Sequence, residues 1–162
     1  MKGESPPIAF LFRHPAHFYA LGFGAGLAPV APGTVGTLVA IPMAMVLWRY
    51  TGNVGFALAL VLLALLGVWA AEITGRNLGV ADHGAIVCDE VVAFLLVLFF
   101  TGPDTLRIVA GFVLFRAFDI AKPPPIRQFD ARFKNGWGVM ADDWLAAGYA
   151  LLGLALWRWI AS

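Results

Sequence analysis

The run VGFALALVLLALLGVWAA, residues 54–71, holds eighteen consecutive uncharged residues. A helix that spans a bilayer needs about 20 mainly apolar residues, with a range of about 17–25. This stretch meets that need, and the whole composition agrees with it. Of 162 residues, 60% are hydrophobic and only 13% charged, with a mean hydropathy of +0.81. A soluble domain averages about 45–50% apolar and about 25% charged. The excess points to an integral membrane protein.

Other classes drop out on the same reading. A net charge of +1 and the lack of long basic runs give nucleic acid no footing. The single cysteine, Cys88, excludes an internal disulfide and a cysteine-based zinc cluster. The opening, MKGESPPIAFLFRHPAH, has no unbroken apolar region of the kind a cleaved signal requires. Residues 1–21 are expected to form a cytoplasmic or interfacial segment of one membrane-embedded domain covering 1–162.

Working outward from 54–71, four more apolar stretches occur near 34–50, 86–101, 105–120 and 143–160. The expected fold is an all-α, polytopic membrane bundle of about five spanning or partly embedded helices. The third stretch is uncharged only over 91–103. Its thirteen residues rise about 20 Å as a helix, against a hydrocarbon core of about 30 Å. To cross, it must draw Asp89 and Glu90 to membrane depth. The fourth stretch must absorb Arg116 and Asp119, and the fifth opens at Asp142–Asp143.

Alternating the spans puts every acid except Asp104 at one end of the bundle. Eight of the eleven basic residues fall there too: Lys2, Arg13, Arg76, Arg116, Lys122, Arg127, Arg132 and Lys134. Arg49, Arg107 and Arg158 lie at the other end, with Trp48, Tyr50, Trp157 and Trp159 as an aromatic belt. The positive-inside rule makes the acid-rich end cytoplasmic.

Charge at membrane depth costs at least about 2.5–3.5 kcal/mol per group on insertion scales, so it usually marks function. Asp82 and Asp89, seven apart, share a helix face if that helix begins early. Converging carboxylates repel unless a cation lies between them, and oxygen-only ligation suits a hard divalent ion such as Mg²⁺. The simpler reading, acids complementing helix dipoles, serves Asp82 or Asp142 alone but not the whole set.

Upstream, GFGAGLAPVAPGTVGT at 22–37 can offer backbone N–H groups to an anion at a helix start near Gly33, with the Thr34 and Thr37 hydroxyls as helpers. Ordinary small-residue helix packing explains it equally well. In FRAFDIAKPPPIRQFD, 115–130, three prolines end the fourth span and release Arg116, Lys122 and Arg127 toward phosphate or lipid headgroups. Arg127, Arg132 and Lys134 read as anchoring charges, and Glu72 with Arg76 as an i,i+4 salt bridge.

GAGLAPVAPGTVGTLVAIP (24–42), DHGAIVCDEVVAF (82–94), FRAFDIAKPPPIRQFD (115–130) and NGWGVMADDWLAAGYA (135–150) together resemble the phosphatidylglycerophosphatase A family. The resemblance implies a Mg²⁺-dependent enzyme of the bacterial cytoplasmic (inner) membrane. Its substrate would be the phospholipid phosphatidylglycerophosphate, met within membrane lipid, with the site facing the cytoplasm. It carries Asp82, His83, Asp89 and Glu90 over as one acidic motif, Asp119 and Lys122 as the next, and Asp142 with Asp143 as the last. Gly33, Thr34 and Gly36 match its glycine motif.

The expected roles follow. Asp82, His83, Asp89, Asp119 and Lys122 are the catalytic set. Gly33, Thr34, Gly36, Arg116 and Lys122 take the phosphate. Asp82, Asp89, Glu90, Asp142 and Asp143 hold the metal. Two rivals compete with this reading. A CDP-alcohol phosphotransferase pattern fails at DARFKNGWGVMADD, where Ala131 replaces a glycine and the aspartates are adjacent. A carboxylate-lined cation transporter needs polar residues to continue to the far end, and 91–100 and 144–157 carry almost none.

Overall fold

The computed structural model describes residues 5–128, 133 and 135–161. Among them are helices and turns but no strand. Two short helices, α1 (Ile8–Leu11) and α2 (Pro15–Ala20), and a 3-10 segment at Gly22–Leu27 lead into the bundle. Its helices are α3 (Pro32–Tyr50), α4 (Gly52–Leu78), α5 (Cys88–Thr101), α6 (Thr105–Ala121) and α7 (Gly136–Ile160). Three of them, α3, α4 and α7, are long and apolar enough to cross a membrane. The expected all-α membrane bundle of about five spanning or partly embedded helices is what the chain forms.

Local chemistry sets the helix ends. Pro32 opens α3 at a position whose N–H has no intrahelical partner. Gly52, at φ +61°, turns the chain straight into α4. Gly79, at φ +72°, closes α4 with Val80 N–H donating to Gly75 C=O at 3.1 Å, the Schellman arrangement. Asp104 caps α6 by accepting from Arg107 N–H at 2.8 Å, and Asn135 caps α7 by accepting from Gly138 N–H at 2.9 Å.

Two boundaries differ from the sequence reading. α4 runs on to Leu78, so Glu72 and Arg76 lie inside it. α7 begins at Gly136 rather than near Asp143, which sets Asp142 and Asp143 two turns inside the helix. The reason is that a helix starts where a cap satisfies its first amides, here Asn135, and not where charge ends. Lys2, Asp130, Arg132 and Lys134 lie outside the described residues.

At the centre is α5, with α3, α4, α6 and α7 packed around it. Val91, Val92, Ala93, Phe94, Leu95, Val97 and Leu98 are all buried. Glycines allow the close approach: a Cβ on Gly67 would strike Met140, and one on Gly136 would strike Val68 C=O. The outer faces stay apolar and exposed, as with Leu58, Val61, Leu62 and Leu65 on α4. This arrangement accounts for the short third stretch. Its 14 residues rise only about 21 Å, but α5 meets protein instead of lipid, and its acidic start is sheltered by its neighbours.

Candidate active site

The acidic end of α5 is placed by the loop that joins it to α4. His83 Nδ1 accepts from Ala85 N–H at 3.1 Å, and Ile86 N–H donates to His83 C=O at 2.8 Å. Val87 N–H then donates to Ala20 C=O at 2.8 Å, tying the loop to the end of α2. Asp89 and Glu90 occupy the first turn of α5, where unpaired amides favour negative charge. Asp89 Oδ1 accepts from Glu90 N–H at 3.0 Å.

Asp143 comes down from α7 to meet them. One carboxylate oxygen from each of Asp89, Glu90 and Asp143 lies within 4.8 Å of the others. Asp89 and Asp143 are only 7% and 4% exposed. Two cations face this group. The Arg116 guanidinium lies 2.6 Å from Asp119 Oδ2 and 3.7 Å from Glu90 Oε1. It also reaches Thr37 Oγ1 on α3 at 3.5 Å, and that hydroxyl donates to Gly33 C=O at 2.8 Å. Lys122 ends α6 in a left-handed conformation, φ +42°, which turns its ammonium to Asp142 Oδ2 at 2.6 Å.

The start of α3 closes the site from another side. A Cβ on Gly33 would collide with the Glu90 carboxylate and come within 3.3 Å of the Arg116 guanidinium. A Cβ on Gly36 would press on Val87. Glycine at both places lets α3 lie directly against the acidic end of α5. Thr34 is half-buried on the same first turn.

Three polar atoms here are buried with no hydrogen-bond partner among the described residues: Glu90 Oε2, Asp143 Oδ2 and Arg116 Nε. Buried polar atoms are paired in most proteins, and one without a partner calls for an explanation. Two are carboxylate oxygens and the third is a guanidinium N–H. The donor set therefore fits a hard cation at the oxygens and an anion beside the arginine.

The expected residues thus divide. Asp89, Glu90 and Asp143 converge, with Arg116, Asp119, Gly33 and Gly36 against them and Lys122 with Asp142 alongside. Asp82 is exposed on the turn before α5 and stands outside the group. Because α5 starts only at Cys88, Asp82 and Asp89 share no helix face. His83 is buried, with one ring nitrogen engaged in shaping the loop. One contact went unread in the sequence. Glu72 Oε2 accepts from Gly136 N–H at 2.7 Å, pinning the first residue of α7 to α4, while Glu72 Oε1 pairs with Arg76 as the spacing suggests. Nothing at position 72 signals a partner 64 residues away.

Fold and site together define a helical-bundle membrane protein with a buried acidic centre at one end. The phosphatidylglycerophosphatase A family model matches residues 18–158, and the chain belongs to that family, which makes it a phosphatase. A phosphatidylglycerophosphatase A of Haemophilus influenzae is 44% identical over 153 residues, covering 94% of each chain. One of Escherichia coli K12 is 39% identical over 146 residues, 87% of this chain and 81% of its own. A Bacteroides thetaiotaomicron protein provisionally named a phosphatidylinositol-3-phosphatase is 37% identical over 153 residues, 86% of this chain and 91% of its own. No solved structure matches the chain significantly.

Proposed function

We propose that this chain hydrolyses the terminal phosphomonoester of phosphatidylglycerophosphate, using Mg²⁺ held by Asp89, Glu90 and Asp143, at the cytoplasmic face of a bacterial inner membrane. The observation that carries the reading is the convergence of those three carboxylates beside Arg116 and Lys122, with Glu90 Oε2 and Asp143 Oδ2 buried and unpartnered among the described residues. The names of the relatives from Haemophilus influenzae and Escherichia coli point to the same substrate.

A divalent ion held by these carboxylates would supply Lewis-acid charge to phosphate oxygens and help activate the attacking water. The residues do the rest. Arg116 offers its Nε–H, unpartnered among the described residues, to a phosphoryl oxygen while Asp119 steadies the guanidinium from the other side. Lys122 adds a second positive charge as the transferring group loosens. The α3 N-terminus, uncapped by any side chain, lies against Glu90 and contributes its amides to the same field. Water oxygen bonds to phosphorus, the ester bond to the glycerol oxygen breaks, and the proton lost by the water ends on that oxygen. Asp82, exposed, and His83, buried, lie on the loop that leads into the acidic turn of α5.

The transporter alternative has less to support it. Beyond the acidic turn, Phe94, Leu95, Leu98 and Phe115 are fully buried and fill the path to the far end. Orientation rests on the positive-inside argument, since Arg13, Arg76, Arg116, Lys122 and Arg127 share the acidic end.

Purified full-length protein in detergent, given phosphatidylglycerophosphate, should release inorganic phosphate with Mg²⁺ and none after EDTA. Release that persists undiminished in EDTA would overturn the metal assignment. No release under any metal, from protein that melts cooperatively, would overturn the substrate assignment.

A further inference from the structure

The opposite end of the bundle holds a feature that the acidic site does not use. A cavity of about 1000 Å³ opens between the end of α5, the start of α6 and the last three turns of α7. Phe100, Leu106, Leu151 and Trp157 form its apolar wall, and Arg107 and Arg158 stand in its lining with Asp104. Phe100 and Leu106 are each more than 60% exposed, so the cavity opens outward rather than into the core.

The charges are the unusual part. Asp104 Oδ1 is taken by the amide of Arg107 as a helix cap. Neither guanidinium is in a salt bridge with a carboxylate among the described residues. Arginine at the non-cytoplasmic end runs against the positive-inside tendency, so two of them in one apolar groove call for a partner. A guanidinium binds phosphate oxygens through paired N–H donors. The wall beside them is apolar and the size suits a lipid chain. Phosphatidylcholine would bring its own ammonium against the second guanidinium, whereas an anionic headgroup would not.

We propose that this groove binds one anionic phospholipid of the leaflet opposite the acidic site. Its phosphate lies between Arg107 and Arg158, and an acyl chain lies along Leu106, Leu151 and Phe100. The lipid clamps the α5–α6 turn to the end of α7. The inference requires that the helices cross a bilayer, and it is independent of the reaction at the other end.

Native mass spectrometry of the full chain tests it, with phosphatidylglycerol and phosphatidylcholine offered at equal concentration. One retained phosphatidylglycerol is expected, favoured by about tenfold or more, and lost in the double variant R107Q/R158Q. Leu151→Trp, which fills the groove and leaves both arginines in place, should also reduce retention. Arg116→Gln should not, which separates this site from lipid held at the acidic end. Phosphate release in the double variant should match that of the parent chain. Equal retention of the two lipids, retention unchanged in R107Q/R158Q, or loss only in Arg116→Gln would each overturn the proposal.

Discussion

The Lys122 ammonium donates to Asp142 Oδ2 at 2.6 Å, joining the end of α6 to the second turn of α7. The contact depends on a left-handed residue, since a helical φ at position 122 would direct the side chain elsewhere. The prolines at 123–125 prevent the helix from continuing, which leaves that conformation in place. The lysine is therefore held next to the carboxylate cluster before any substrate arrives.

Removing that charge should affect the transition state more than substrate binding. Lys122→Ala is expected to lower kcat by about 10²-fold or more, the size seen when one preorganised donor is lost. Lys122→Arg should recover part of it. Steady-state kinetics that showed only a raised KM would assign Lys122 to ground-state binding instead.

Asp143 should be the residue on which metal affinity depends most, because it alone brings α7 to the two acids of α5. Asp143→Asn is expected to weaken Mg²⁺ or Mn²⁺ binding at least about tenfold. Isothermal titration of the detergent-solubilised protein reads this without relying on turnover. An unchanged dissociation constant would move the ion elsewhere.

Gly33 tests the packing of α3 on the site. Gly33→Ala places a methyl group where the Glu90 carboxylate lies, at a cost on the order of 1–3 kcal/mol for overpacking. Activity should fall sharply while the helical circular dichroism stays the same. Gly148→Ala, where a Cβ meets nothing within 4 Å, is the matched control and should be silent.

Glu72 should matter for stability through the start of α7. Glu72→Ala leaves the Gly136 amide without its acceptor, a loss of about 1–2 kcal/mol. Glu72→Gln keeps an acceptor oxygen and should fall between the two. Thermal melts of the three proteins in one detergent would rank them, and equal melting temperatures would dismiss the staple.

His17 predicts a pH dependence. Its ring is 2% exposed, with Nδ1 2.9 Å from Thr74 Oγ1 and Nε2 3.0 Å from the Asn77 amide nitrogen. An amide nitrogen only donates, so Nε2 accepts and the proton sits on Nδ1. Burial, then His14 and then Arg13, lower its pKa from 6.5. The unfolded chain therefore binds the proton more readily, and stability should fall as pH drops below about 6.5 and level off below the folded pKa. His17→Asn should flatten this part of the profile relative to the parent chain. Identical profiles for the two proteins would rule the contribution out.

Much of this was legible in the chain. Length arithmetic on residues 91–103 required Asp89 and Glu90 to sit at a buried helix start, and span alternation brought Asp119, Asp142 and Asp143 to the same end. What could not be read was rotation and register. Which of Asp142 and Asp143 faces Asp89 depends on where α7 begins, and that is set by Asn135 and two glycines with no apolar signal. Asp82 looked equivalent to Asp89 only while the start of α5 was unknown. The Glu72–Gly136 contact and the clearance at Gly33 are properties of packed surfaces, which a single sequence does not encode in any local pattern.

The difference in length between α4 and α5 shapes the surroundings of the acidic turn. Cys88, the first residue of α5, brings its sulfur to Gly67 C=O at 3.9 Å, and α4 continues eleven residues past that level, about 16 Å. The last three turns of α4 therefore overhang the level at which Asp89 and Glu90 begin α5. Under the proposed reaction, phosphate would leave toward that overhanging end, and the lipid product would rejoin the lipid around the bundle. The two products of that reaction would then part by solubility.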